Sequence, residues 1–368
     1  MRRQWLLQRA LGGISRIPEA AARVVEAGRL AADDGRCRLG ITPGCLKAFL
    51  ASESPVLVYR GAVPAQICER AVSRLEALAQ ASVVNRSRGG TGPTAANASG
   101  GGGLPGAATS FAEWHLGADP DSPASDYTKI GYTKTDVLRE EGVRMAARTA
   151  APESYLRSAV ATSRLLEEAF LPDKCPIDDI RDEISALPDV TCGVERCPAT
   201  GRPFLPCVVR RMLPGERRPE GNVHMDTVAP GCTASVNVYL RVPEGGTSGG
   251  ELVLYPVRKG PLQRRLNEHF FTTLDIQNFF PDRTFYTQEV LASGVVEPIV
   301  YRPEVGDVVI IDPAYPHAVR DFRNDPSGGS PEAGACIPSR LSLQTFVQVS
   351  WRQQGWWGPR TCALEYAT

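Results

Sequence analysis

Hydrophobic and polar positions change rhythm along this chain. In 63–81, "VPAQICERAVSRLEALAQA", the residues Ile67, Ala71, Leu75 and Leu78 recur three or four positions apart. That spacing puts them on one face and predicts an amphipathic helix lying on a core. Just before it, "PVLVYRG" (55–61) is a short unbroken apolar run closed by Gly61, the pattern of a buried strand. The helical period returns over 136–171, "DVLREEGVRMAARTAAPESYLRSAVATSRLLEEAFL", with an interruption near Pro152. Proline is accommodated in a first helical turn, so two helices are expected there. The opening "MRRQWLLQRALGGI" starts basic, but Gln8 and Arg9 break its apolar run. It reads as an amphipathic helix and not as a secretory leader.

Near residue 205 the period shortens. "PCVVRRML", "ASVNVYLRV", "GELVLYPV", "DVVIID" and "RLSLQTFVQVSW" are short, β-branched and partly alternating, each bounded by Gly, Pro or Asp. A succession of such strands with turn signals between them predicts a β-sandwich or barrel. Two domains of different character follow: a mostly helical region over 1–190 and a strand-rich core over 191–368. A more helical insert at 259–294 interrupts the core, and no internal repeat is visible. Within the first region, 87–108 reads "SRGGTGPTAANASGGGGLPGAA", too poor in apolar surface to offset its ordering entropy, so a loop is expected.

Composition narrows the function classes. The 368 residues carry 41 basic and 41 acidic side chains, a formal net charge of zero. There is no basic excess to neutralise phosphates, so nucleic acid is not an expected partner. No apolar run reaches the roughly 20 residues that span a bilayer. The 10 cysteines are scattered. A zinc set of Cys192, Cys197 and Cys207 lacks a second close pair, so the expectation is reduced thiols in the cytoplasm.

The candidate chemistry begins at "GNVHMDTVAP" (221–230). His224 and Asp226 stand two apart, and on a strand such residues point to the same side. An isolated His-x-Asp is weak evidence, since a histidine near a strand end is ordinarily satisfied by hydrogen bonds. A facial-triad iron site needs one further histidine and leaves positions open for other ligands. "GDVVIIDPAYPHAV" supplies it: a turn at Gly306-Asp307, a strand over 308–311, and His317 just beyond. Farther on, "SRLSLQTF" puts Arg340 and Ser342 on one side of a strand. A guanidinium fork and a hydroxyl suit a carboxylate. Asn237 and Tyr239 alternate to one face of "ASVNVYLRV", and Arg210 and Met212 share a face of "VVRRM", placing one of the latter within reach of a substrate pocket.

In this order, His224-x-Asp226, His317 and Arg340-x-Ser342 resemble the Fe(II)/2-oxoglutarate-dependent dioxygenase superfamily. "GGELVLYP" (249–256) and "GDVVIIDPAYPHAV" resemble the strands that flank its ligands, and the likeness covers roughly 205–350. It implies an α+β fold dominated by a double-stranded β-helix, or jelly roll, with the helical N-terminal half packed around it. It implies Fe(II) on His224, Asp226 and His317, with 2-oxoglutarate and O2 as cosubstrates. The far carboxylate of 2-oxoglutarate would meet Arg340 and Ser342, with Tyr239 and Asn237 as further contacts. Relatives that halogenate carry Gly or Ala in place of the aspartate, so Asp226 argues for hydroxylation or a related oxidation. One departure is the 23 residues from His317 to Arg340, a longer gap than is common in the family. It reads as a loop insertion, with Arg320 or Arg323 as alternative cosubstrate ligands.

His115 and His269 are expected to be structural, and the aromatic insert around His269 to pack over the barrel mouth or to act as a substrate lid. The implied function is oxidation of an unactivated C–H bond in a small molecule, an amino acid or natural-product intermediate. Modification of a protein side chain, of the prolyl kind, is the alternative. A non-enzymatic cupin-like barrel is a third, against which Arg340-x-Ser342 argues. The sequence does not give the oligomeric state.

Overall fold

The computed structural model describes residues 37–50, 55–88, 129–130, 153–194, 196, 200–212, 232–243, 247–256, 297–313, 315–320, 323–324 and 339–351. The N-terminal segment, most of the Gly-rich stretch, the first half of 136–171, the insert at 259–294, Cys197, His115 and His269 lie outside them.

Four helices are described: α1 (Pro43–Leu50), α2 (Ala65–Arg88), α3 (Glu153–Phe170) and α4 (Pro176–Ser185). The face predicted for α2 is the buried one: Ile67, Ala71 and Leu75 are enclosed, and Leu78 packs against the same core. Helix α4, not distinguished in the sequence, follows the cap residue Cys175, has proline in its first turn and carries Asp178 and Asp179 there, where carboxylates complement the helix dipole. Its Glu183 accepts the backbone N–H groups of Leu39 (2.7 Å) and Ile41 (2.8 Å), and Asp179 accepts that of Cys37 (3.1 Å). The helix thereby ties down the segment before α1.

The strands are β1 (Val56–Tyr59), β2 (Lys129–Ile130), β3 (Val190–Val194), β4 (Val208–Met212), β5 (Cys232–Arg241), β6 (Thr247–Ser248), β7 (Leu252–Leu254), β8 (Ile299–Tyr301), β9 (Val308–Ile311), β10 (His317–Val319), β11 (Arg323–Asn324) and β12 (Arg340–Trp351). All five strand segments singled out by their patterning contain one. A seven-stranded sheet runs in the order β1-β9-β5-β12-β4-β2, with β3 also on β12. The first part of β12 pairs with β4 and its far end with β3, while β5 runs along the other edge. A three-stranded sheet, β10-β7-β8, and a two-stranded one, β11-β6, complete the described strands. Every pairing is antiparallel. Strands β1 and β2 come from the first 190 residues yet join the large sheet.

The period of two divides the large sheet into two faces. Leu341, Leu343, Val347 and Val349 of β12, Val236, Val238 and Leu240 of β5, and Val308 and Ile310 of β9 are buried with the helices in the main core. Each such side chain contributes about 1.5–3 kcal/mol when fully enclosed. The opposite face carries Val309, Ile311 and Tyr239, which pack with Leu252, Leu254 and Tyr301 of the three-stranded sheet in a second cluster. The space between the two sheets is therefore lined by the alternate residues of β4, β5, β9 and β12.

A buried carboxylate sets the entry to β9. Asp307 is 1% exposed. It accepts hydrogen bonds from Arg60 Nη1 (3.0 Å), the Gly61 N–H (2.9 Å), the Glu304 N–H (2.7 Å) and the Tyr301 hydroxyl. Burial, and then the bond to Asp307, push the Tyr301 phenol well above its ordinary value. Next to it, Gly306 has φ +85°, and a Cβ there would lie 2.2 Å from the Val63 carbonyl oxygen. That oxygen's own residue donates its N–H to the Gly306 carbonyl (2.9 Å). Only glycine combines this backbone angle with so close an approach.

Candidate active site between the sheets

A cavity of about 50 Å³ lies between the two sheets. Its lining comes from β4 (Arg210, Met212), β5 (Asn237, Tyr239), β9 and β10 (Ile311, His317, Val319), β7 (Leu252) and β12 (Arg340, Ser342, Gln344). Five residues chosen from sequence pattern, His317, Arg340, Ser342, Tyr239 and Asn237, thus meet around one space, as do Arg210 and Met212. His224 and Asp226 lie outside the described residues. Among the described residues no group of three His, Cys, Asp or Glu could hold a metal ion.

His317 opens β10, opposite Leu254 of β7, and is 5% exposed. Its ring Nδ1 stands 2.8 Å from the Tyr315 carbonyl oxygen. A carbonyl only accepts, so the proton belongs on Nδ1 and the lone pair on Nε2, the atom a metal would take.

Arg340 and Ser342 are buried, at 4% and 6% exposure, whereas Arg320 is exposed. Arg320 uses its backbone to join β10 to the 250–251 segment. Arg323 is in β11, and its side chain lies outside the described residues. Arg340 Nη1 donates to the Gly250 carbonyl oxygen (2.8 Å), and the guanidinium carbon lies 4.7 Å from the centre of the Tyr239 ring, inside cation–π range. Burial raises the Tyr239 phenol, and the charge of Arg340 pulls it the other way. The pattern Gly249-Gly250, with φ of +91° and +79°, turns the backbone so that its carbonyl meets the arginine.

A β-bulge decides which side chains share this space. Leu341 pairs with Arg241, yet Ser342 pairs with Tyr239 and not with Leu240. The extra residue on β5 puts Tyr239 beside Ser342, and bulges of this kind recur next to functional sites. Gln344 is a residue the motif reading passed over. The i+2 alternation of Arg340, Ser342 and Gln344 was the signal that marks it.

Two other expectations have their place away from this cavity. Cys37, Cys45, Cys68, Cys175, Cys192 and Cys207 are unbridged, and Cys192 and Cys207 belong to no metal cluster among the described residues. Cys175 and Cys207 hydrogen-bond each other in the wall of a larger cavity of about 360 Å³ behind the sheet. No histidine lines it. Among the described residues no helix is long and apolar enough to cross a membrane.

No family model matches the chain, and no curated protein matches it. Solved structures do. An N-substituted L-amino acid dioxygenase from Burkholderia ambifaria AMMD, in complex with alpha-KG, is 13% identical. The likeness covers 59% of this chain and 72% of that one, with a TM-score of 0.33. HygX from Streptomyces hygroscopicus, with nickel and 2-oxoglutarate bound, is 14% identical over 84% of this chain and 87% of that one, also at 0.33. A 2OG-Fe(II) oxygenase family oxidoreductase from Burkholderia pseudomallei is 17% identical over 53% and 59%, at 0.26. Likeness this distant carries no residue roles, and the assignment below rests on the cavity and its side chains.

Proposed function

We propose that this chain is an Fe(II)/2-oxoglutarate-dependent oxygenase that oxidises an unactivated C–H bond of a small molecule. The observation that carries the reading is the convergence of His317 from the three-stranded sheet and Arg340 and Ser342 from the seven-stranded one on a single cavity between two antiparallel sheets. In the large sheet β9, β5, β12 and β4 are neighbours, and β10, β7 and β8 face them. That interleaving supports a double-stranded β-helix with the helices against its outer face.

Of the residues that would hold the implied groups, His317, Arg340 and Ser342 are described, and their chemistry suits those groups. His317 would hold iron through Nε2, together with His224 and Asp226. Arg340 meets the Gly250 carbonyl, and the Gly250 N–H donates to the Arg320 carbonyl (3.0 Å), three residues beyond His317. At about 3.3 Å per residue this sets the guanidinium contact roughly 10 Å along β10 from the imidazole. A metal ion and a short diacid chelated to it fill a span of that size.

Iron with 2-oxoglutarate and O2 would supply the oxidising power, converting C–H to C–OH while 2-oxoglutarate becomes succinate and carbon dioxide. The chain's own part is positional. The Tyr315 carbonyl holds the imidazole in one tautomer, and Tyr239 and Gly250 hold the Arg340 fork. Met212, Leu252, Ile311 and Val319 make the apolar walls that keep water from the reacting centre. Asn237 and Gln344 add amide groups that orient a polar ligand. An amino acid or natural-product intermediate is the substrate class we infer, because polar groups (Asn237, Gln344) and apolar side chains (Met212, Leu252, Ile311) line the same space.

Anaerobic addition of Fe(II) and 2-oxoglutarate tests the reading. A visible metal-to-ligand charge-transfer band is expected in the wild type. It disappears in His317→Ala and needs far more 2-oxoglutarate in Arg340→Ala. A folded wild-type protein without the band overturns the assignment.

A further inference from the structure

Two buried thiols away from the active cavity have no part in the oxygenase reading. Cys175 is the cap residue of α4, and Cys207 stands directly before β4. They are 6% and 2% exposed, and neither is bridged. Both line the cavity of about 360 Å³ behind the sheet, where they hydrogen-bond each other. Arg181 lines the same space. Its Nη2 pairs with Asp178, while its buried Nη1 has no hydrogen-bond partner among the described residues. Val160, Arg164 and Glu167 in the cavity wall are exposed, so the space opens to solvent. A water-sized molecule needs only about 10–15 Å³, and a small hydroperoxide is little larger.

We propose that Cys175 and Cys207 are a redox-active dithiol, with Cys175 as the attacking sulfur, Cys207 as the resolving one and Arg181 as counter-ion, which a small hydroperoxide oxidises to a disulfide. The Cys175 sulfur attacks the peroxide O–O bond and becomes a sulfenic acid, and the alcohol or water leaves with a proton. The Cys207 sulfur then displaces the sulfenic oxygen as water and closes the S–S bond. Two thiols and one hydroperoxide thus give one disulfide, one alcohol (or water) and one water. The product ties the start of α4 to the lead-in of β4. None of this depends on the oxygenase reading.

The surroundings divide the two roles. The bond from Cys207 lowers the Cys175 thiol, and the Ile177 N–H and the Arg181 charge add to that against burial. Cys207 is pushed up by the same bond and by burial. One sulfur is thereby favoured as thiolate while its neighbour keeps its proton, and helix N-termini and nearby arginines are the usual activators of a reactive cysteine. Cys192 also feels Arg181, yet burial pushes its thiol up to about 12. Cys68 is pushed up to about 12 as well, and neither lines the cavity.

The full-length protein is reduced, freed of reductant and treated with hydrogen peroxide in the presence of a metal chelator. It is then unfolded, alkylated with N-ethylmaleimide, digested and mapped by mass spectrometry. A peptide pair joined through Cys175 and Cys207, and released by dithiothreitol, is expected as the first product, ahead of any change at Cys192 or Cys68. In Cys207→Ala the oxidation stops at a Cys175 sulfenic acid that dimedone traps, whereas Cys175→Ala leaves Cys207 unlabelled. Arg181→Gln slows the reaction by about 3–10-fold, and Arg181→Lys restores most of the rate. Earlier oxidation of Cys192 or Cys68, or reaction of Cys175 only after urea unfolding, overturns the proposal. So does a dimedone adduct on Cys207 in Cys175→Ala that forms as fast as the wild-type disulfide. An Arg181→Gln protein that reacts at the wild-type rate overturns the counter-ion assignment.

Discussion

Asp307→Ala should be one of the most damaging single changes outside the cavity. The carboxylate accepts from the Gly61 and Glu304 N–H groups, the Tyr301 hydroxyl and Arg60 Nη1, at 1% exposure. Truncation leaves the Tyr301 hydroxyl without its buried acceptor and the part-buried Gly61 and Glu304 N–H groups without theirs. Each orphaned donor costs about 1–3 kcal/mol, and the costs are not additive. Arg60 adds little, because its side chain is 34% exposed and water replaces the lost partner. The expected total is about 3–5 kcal/mol, in the range for breaking a buried charge network. Arg60→Ala, which removes one solvent-assisted donor and leaves the rest, should cost no more than about 1 kcal/mol. Urea unfolding of the two variants, followed by circular dichroism, measures both. Asp307→Ala within about 1 kcal/mol of the wild type, or no worse than Arg60→Ala, refutes the reasoning. Asp307 would then be solvated in solution and would not pin the entry to β9.

Three further outcomes are expected. Gly306→Ala should cost at least about 2 kcal/mol, because φ is +85° and the new Cβ would sit 2.2 Å from the Val63 oxygen; an unchanged unfolding midpoint contradicts this. Tyr239→Phe keeps the ring under Arg340 and should bind 2-oxoglutarate like the wild type, whereas Tyr239→Leu should weaken it by about 3–10-fold; equal losses in the two would mean that the hydroxyl carries the contact. Burial pushes the Cys68 and Cys192 thiols up from 9.0 to about 12. The unfolded chain therefore releases these protons first, so this part of the stability is complete below 9.0 and declines as pH rises toward 12. Urea midpoints across that window should fall, and the fall should be shallower in Cys68→Ala; a flat profile contradicts it.

Much of this protein was legible in local pattern. The three-to-four spacing of Ile67, Ala71 and Leu75 determined the buried face of α2, since helix geometry alone maps that spacing to one side. The two-residue alternation of "RLSLQTFVQV" and "SVNVYL" determined which side chains of β12 and β5 share a face, and so placed Arg340 with Ser342 and Asn237 with Tyr239. Contacts between distant segments were not legible, because periodicity says nothing of which strands become neighbours. That β12 lies between β4 and β5, bringing Arg210 level with Ser342, is a property of the assembled sheet. The bulge that sets Tyr239 against Ser342, the lean of Arg340 onto that ring, and the four donors that converge on Asp307 from Arg60 to Tyr301 likewise belong to the tertiary structure. Each depends on the register between segments up to 247 residues apart, and burying both faces of the large sheet is what selects that register.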